Sequence, residues 1–229
     1  MVTGASRGIG AAIARSLAAA GADVALVARS REWLEELAAS LGAHGIPVPC
    51  DLRDPRAVDG AVGAINKKLG RPPRILVNGA GLFHLGALHE LDADDFEAMI
   101  GVNLVATFRF VRAFLPAMRA NESGHVVTIG SVADHSAWPG NAGYAASKYG
   151  ARAVHEVLRA ETRGSGVRAT LISPGATDTA LWDELDPDSR TDLPSRSEML
   201  RPEDVARAVL FAVTQPASVN VDELRVSRA

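Results

Sequence analysis

The chain of 229 residues has a single cysteine, Cys50. An internal disulfide is therefore excluded, and so sparse a thiol content predicts a reducing, cytoplasmic setting. Lysine is scarce as well. There are three, two of them the adjacent Lys67 and Lys68, against 21 arginines. Tyrosine occurs only at 144 and 149. No basic cluster stands anywhere, and with a net charge of −3 and a pI near 6.1 a nucleic-acid partner has no electrostatic support. No run approaches the roughly eighteen apolar residues of a membrane span, and the N-terminus lacks the regions of a secretory leader, so no membrane partner is expected. The six histidines, His84 and His89 among them, form no His-x-x-x-His and join no carboxylate pair, so no metal is expected. What remains is 47% hydrophobic and 22% charged, enough for one large core and a single domain over residues 1–229.

The scarce residues meet in Tyr144-Ala-Ala-Ser-Lys148, with Ser131 upstream. Residues four apart on a helix share a face, one turn from each other. A lysine held there is predicted to push the phenol pKa down. From a reference near ~10, a shift of roughly three units needs about 4 kcal/mol, part of which a cationic cofactor ring could supply. Such a phenol gives or takes a proton near neutral pH, as a carbonyl/alcohol redox step requires. Tyr149 has Ala153 four residues on and no such partner.

Thr3-Gly4-Ala-Ser6-Arg7-Gly8-Ile9-Gly10 leads into an alanine-rich helix. Glycines at 4, 8 and 10 allow a tight turn whose N–H groups can approach a pyrophosphate at the helix N-terminus. Asp23–Ala28 reads as a buried strand and Arg31–Leu41 as a helix stopped by Gly42. The strand ends in Ala28-Arg29-Ser30, without the carboxylate that would bind a ribose 2′-hydroxyl. Arg29 and Arg7 suit a 2′-phosphate, so NADP(H) is expected over NAD(H). Further strands are predicted at 46–50, 74–78, 124–131, 167–173 and 219–226. Helices are predicted at 55–69, 92–119, 141–163 and 202–214. Strands alternating with helices predict a three-layer, doubly wound parallel sheet, a Rossmann fold, with its first strand shortened to Met1-Val2. Extension of that strand by apolar residues is expected to raise the melting temperature and tighten NADPH binding, as for a start recorded downstream of the true one.

These motifs, in this order, resemble the short-chain dehydrogenase/reductase family, in its single-domain NADP(H)-preferring branch. The resemblance implies a catalytic tetrad of Asn103, Ser131, Tyr144 and Lys148. Tyr144 would be general acid in reduction and general base in oxidation, Lys148 would bind the nicotinamide ribose, Ser131 would hold the substrate oxygen, and Asn103 would hold a proton-relaying water. It also implies a cofactor held by Gly4, Ser6, Arg7, Gly8, Ile9 and Gly10, by Arg29 and Ser30, and by Asp51 and Leu52 at the adenine. Asn78, Ala80 and Gly81 follow, in an Asn-Gly-Ala-Gly that is similar to the family's Asn-Asn-Ala-Gly. Pro174, Gly175, Thr177 and Thr179 would hold the carboxamide and open a substrate lid over residues 179–200.

The implied reaction interconverts a small-molecule carbonyl and a secondary alcohol. Two alternatives stay open, a carrier-protein-linked 3-oxoacyl reductase and a non-catalytic NADP-binding sensor on the same fold. The end of the chain, with Pro202-Glu-Asp-Val-Ala206 and Val213-Thr-Gln-Pro216, resembles the family's NADP-dependent hydroxy-acid and amino-alcohol dehydrogenases. Trp138 and Trp182 are either packing anchors or the walls of an apolar substrate pocket. A homodimer or homotetramer is expected from the two long helices, with Phe108, Val111, Ala151 and Val154 as apolar candidates.

Overall fold

Apolar runs and helical segments alternate along the chain, and the computed structural model, which describes residues 1–229, folds them in that order. The elements are β1 (Val2–Thr3), α1 (Gly8–Ala19), β2 (Val24–Ala28), α2 (Arg31–Ser40), β3 (Gly45–Pro49), α3 (Pro55–Leu69), β4 (Ile75–Asn78), α4 (Ala93–Met99), α5 (Ala106–Ala120), β5 (Gly124–Ile129), α6 (Ala142–Thr162), β6 (Val167–Pro174), α7 (Pro202–Val213) and β7 (Glu223–Val226). All seven strands pair in parallel, in the order β3-β2-β1-β4-β5-β6-β7. The strand order reverses direction between β1 and β4, which opens a crevice at the carboxyl ends of the strands.

Local chemistry sets the element ends. Asp54 caps α3 by accepting from the Arg56 N–H at 2.8 Å, Pro55 opens its first turn, and Gly70 closes it in the left-handed region at φ 68°. Every residue of β2 is buried, as expected of a central parallel strand covered on both faces. Its alternate residues Ala25 and Val27 join the core under α3 and α5, while Val24, Leu26 and Ala28 join the core under α1, α2 and α7. This makes three layers, with every strand carboxyl end facing one rim.

The short β1 still occupies the centre. Val2 lies beside Leu26 and Val77, and the Met1 amino group donates to the Ile75 carbonyl at 2.7 Å. Thr3 then does work that the sequence did not reveal. Its hydroxyl accepts from the N–H groups of Gly79 and Ala80, at 3.0 and 3.1 Å, and so ties the turn after β4 to the turn after β1.

Three expectations need correction. The predicted helix 92–119 is interrupted: residues Ile100–Val105 form a π-helical segment, the kind of widened turn that recurs at functional sites. The composite helix Ala93–Ala120 is long and apolar enough to cross a membrane by length and composition, contrary to the run-length reading. Its apolar residues Phe110, Phe114 and Met118 are instead buried against the sheet, and Met99 is buried beside Gly143 of α6. Finally, Val111 and Ala151 are buried inside the protomer because both face the sheet, and the exposed large apolar residues on these helices are Phe96, Val105, Phe108, Tyr149 and Val157.

Candidate active site

The crevice is a cavity of about 690 Å³. Of the residues singled out in the sequence, Gly4, Ser6, Arg7, Gly8, Ile9, Gly10, Arg29, Ser30, Asp51, Leu52, Ala80, Gly81, Ser131, Tyr144, Lys148, Pro174, Gly175, Thr177 and Thr179 all line it. Asn103 and Asn78 lie behind its wall, both buried, and neither side-chain amide atom of Asn78 has a protein partner.

One end is made by the turns after β1, β2 and β3. Gly4 sits at φ 71°, where a Cβ would lie 2.8 Å from the Ala80 backbone, and a Cβ on Gly10 would lie 2.2 Å from the Gly4 carbonyl oxygen. No other residue allows the turn and α1 to approach so closely. α1 carries no side-chain cap and no acidic residue in its first turn, so its N–H groups and the positive end of its dipole stay open to an anion. Arg7 and Arg29 make no ion pair. The Arg7 guanidinium lies over the exposed ring of Trp33, 5.4 Å from its centroid. Asp51 is clamped by Arg53, at 2.7 Å for the shortest contact. That clamp, with a smaller effect from the Arg29 charge, holds the Asp51 carboxyl below its usual range.

The other end is made by the loops after β4, β5 and β6 and by α6. Tyr144 and Lys148 share the α6 face toward the cavity, the lysine Nζ 5.5 Å from the phenol ring centroid. Lys148 is buried and donates to the Ile129 carbonyl at 2.9 Å. Ser131 stands on the loop after β5 and lines the cavity with Tyr144, its hydroxyl accepting from the Ala133 N–H at 3.1 Å. Asn103, held by the π-helical segment, accepts from the Leu82 N–H at 2.7 Å and donates to the Leu82 carbonyl and to Ser147. A Cβ built on Gly81 would come within 3.6 Å of the Asn103 oxygen and 4.0 Å of the Lys148 nitrogen, so both groups converge on one point of the wall.

The electrostatics differ from the expectation. Burial pushes the Tyr144 phenol up to about 12, a hydrogen bond with Ser131 opposing the rise and the Asp134 carboxylate adding to it. Burial likewise pulls Lys148 down to about 8, against the pull of Asp134. In the protein by itself desolvation is the dominant effect on Tyr144, and it favours the protonated phenol.

The decisive support is Asp134, which sequence reasoning missed. Fully buried, it accepts from the Ser131 N–H at 3.1 Å, takes the Ser173 hydroxyl, and meets His135 at 2.8 Å and Arg152 at 3.2 Å. Arg152 continues to Glu223 and Glu156, both at 2.9 Å. The Ser131 loop is thereby fastened to β6, α6 and β7. The available signal was the Ser-x-x-Asp of 131–134, which forms a capping box at a short turn.

Residues 180–198 cover the cavity mouth as three short 3₁₀ turns. Arg196 fastens them, reaching Asp178 at 2.5 Å and Asp183 at 2.7 Å. The Trp182 indole N–H donates to the Thr177 carbonyl at 3.0 Å.

Known proteins resemble this chain in sequence and in fold. A family profile described as short chain dehydrogenase matches residues 1–190. The chain belongs to the short-chain dehydrogenase/reductase family. It is 38% identical to glycine betaine reductase ATRR of Emericella nidulans over 99% of its own length, and spans 18% of that protein. It superposes on an alcohol dehydrogenase of the archaeon Thermococcus sibiricus complexed with 5-hydroxy-NADP, with a TM-score of 0.88 and 32% identity, covering 100% of this chain and 95% of that one. The closed form of a serine dehydrogenase complexed with NADP⁺ matches with a TM-score of 0.89 and 31% identity, covering 98% and 92%. As a member of this family the chain is an oxidoreductase, and its sheet is the family's Rossmann fold.

Proposed function

We propose that this enzyme interconverts a carbonyl compound and a secondary alcohol with NADP(H), using Tyr144 as general acid and base, and that residues 1–229 form one domain for cofactor and substrate alike. The observation that carries this reading is a single cavity with two chemically distinct ends. One end offers an open helix N-terminus and two unpaired arginines, and the other joins a phenol, a hydroxyl and a buried lysine. Anion-binding glycines and Arg7 and Arg29 fit a pyrophosphate and a 2′-phosphate. The bound complexes of two structural relatives carry NADP-type cofactors.

The cofactor supplies or accepts the hydride; every proton step belongs to the chain. In reduction, the Tyr144 hydroxyl donates its proton to the substrate oxygen, and the Ser131 hydroxyl donates a hydrogen bond where charge develops. Lys148 holds a positive charge beside the phenol and offsets the negative charge left on it. Asn103 orders the backbone at Leu82 and offers a water site next to Lys148. Asp51 and Leu52 wall the adenine end. The lone, buried Cys50 suits a reducing cytoplasm. Exposed Phe108 on α5 and Val157 on α6 support a homodimer or homotetramer, which light scattering at micromolar concentration tests.

The experiment is a panel of aldehydes and ketones with NADPH, followed by cofactor absorbance. Oxidation of NADPH with at least one carbonyl is expected. Tight NADPH binding with no oxidation across the panel would instead mark a cofactor-binding sensor.

A further inference from the structure

Beyond Tyr144 the cavity wall changes character. Phe83 meets the Tyr144 ring edge-on at 4.8 Å and the Trp182 ring at 5.2 Å. Leu85, Val132, Trp138 and Leu181 complete this end. No cation faces it. Arg7, Arg29 and Arg53 line the opposite end, Lys148 is committed to the Ile129 carbonyl, and Arg196 is committed to Asp178 and Asp183. The one charged side chain from the mouth, Asp192, is an acid, and it is paired with Arg190 at 2.7 Å. Across residues 179–200 six acidic side chains stand against two arginines, so the field at the entrance is negative.

A carboxylate brought against these rings would lose its hydration and find no free cation, since the Tyr144 and Ser131 hydroxyls are taken by the reacting carbonyl oxygen and Lys148 by the Ile129 carbonyl, and buried charge tolerates this poorly. An apolar or aromatic group finds three aromatic rings instead. We infer that the substrate is an uncharged carbonyl compound bearing an apolar group, seated against Phe83, Trp138 and Trp182, and that hydroxy-acid and oxo-acid substrates are excluded. This rests on the proposed function, and it turns away from the hydroxy-acid dehydrogenases that the end of the chain resembles.

The test separates the two readings by measuring binding apart from turnover. Calorimetry on the Tyr144→Phe variant, with and without saturating NADPH, compares methyl 4-acetylbenzoate with 4-acetylbenzoate, and methyl 4-oxopentanoate with 4-oxopentanoate. Each ester is expected to bind at least about tenfold more tightly than its acid, and the aromatic ester more tightly than the aliphatic one. Trp182→Ala and, separately, the milder Phe83→Leu should weaken the aromatic ester about tenfold and leave the NADPH dissociation constant within about twofold. Acids that bind as tightly as their esters, or an aromatic preference that survives both substitutions, overturn the proposal. Turnover of the unmodified enzyme with the same esters reports on the redox reading alone.

Discussion

The two ends of the cavity are built in opposite ways. The phosphate end is local: Gly4, Gly8 and Gly10 lie within one turn of chain, Arg29 closes the next strand, and Arg7, Arg29, Arg53 and Trp33 are open to solvent. The phenol end is assembled from distant segments. Asp134, Arg152, Ser173 and Glu223 must all meet before Ser131 is fixed, and Arg152 and its partner Glu223 lie 71 residues apart. Local geometry can be read residue by residue, whereas a buried charged network exists only once the sheet has closed.

That contrast predicts how each end fails, from the largest effect to the smallest. Asp134→Asn removes the hub of the buried network and leaves Arg152 short of a partner. A loss of about 3–5 kcal/mol of folding stability in urea unfolding is expected. A loss below about 1 kcal/mol would show that the phenol end is no more cooperative than the phosphate end.

Tyr144→Phe comes next, with turnover down by at least ~10²-fold and NADPH affinity nearly unchanged. Unchanged turnover would leave the phenol without a role. The pH profile sharpens this. Lys148 carries its charge below about 8 and loses it above, so kcat/KM for reduction should fall as pH rises through that value. Because the Asp134 carboxylate holds the Lys148 pKa up, Asp134→Asn should move that limb to lower pH. A limb that does not move would uncouple the network from the lysine.

At the phosphate end, Arg29→Ala should erase at least about a tenfold preference for NADPH over NADH without altering the melting temperature. Equal dissociation constants for both cofactors in the unmodified protein would reject the 2′-phosphate assignment. Arg53→Ala should do least, because its pair with Asp51 is solvated, with a shift in NADPH affinity below about twofold. A large loss there would bring the third arginine into the phosphate site.

A further measurement concerns acid. His125 and His155 are buried among Thr170 and Thr128, and burial lowers both to about 4. Between about pH 6.5 and 4 the unfolded chain binds protons that the folded one refuses, so stability falls as pH falls through that window. Replacing both by Gln should flatten the acid limb, seen as melting temperature against pH.

The alternation of buried runs and helices was legible in the sequence, and so were the glycine turn, the arginine after β2 and the Tyr–Lys pair, because each depends on neighbours within a turn or two. Strand β2 is buried on both faces because its side chains are all apolar, and α3 starts and stops where Asp54, Pro55 and Gly70 dictate. Only the tertiary structure decided the rest. The π-helical segment that aims Asn103 at Leu82 looks like ordinary helix in sequence, since its apolar spacing suits either winding. Val111 and Ala151 look like surface apolar residues until the sheet covers them. The direction of the Tyr144 shift was likewise hidden: spacing brings the lysine close, but the burial that raises the phenol exists only when the chain is folded.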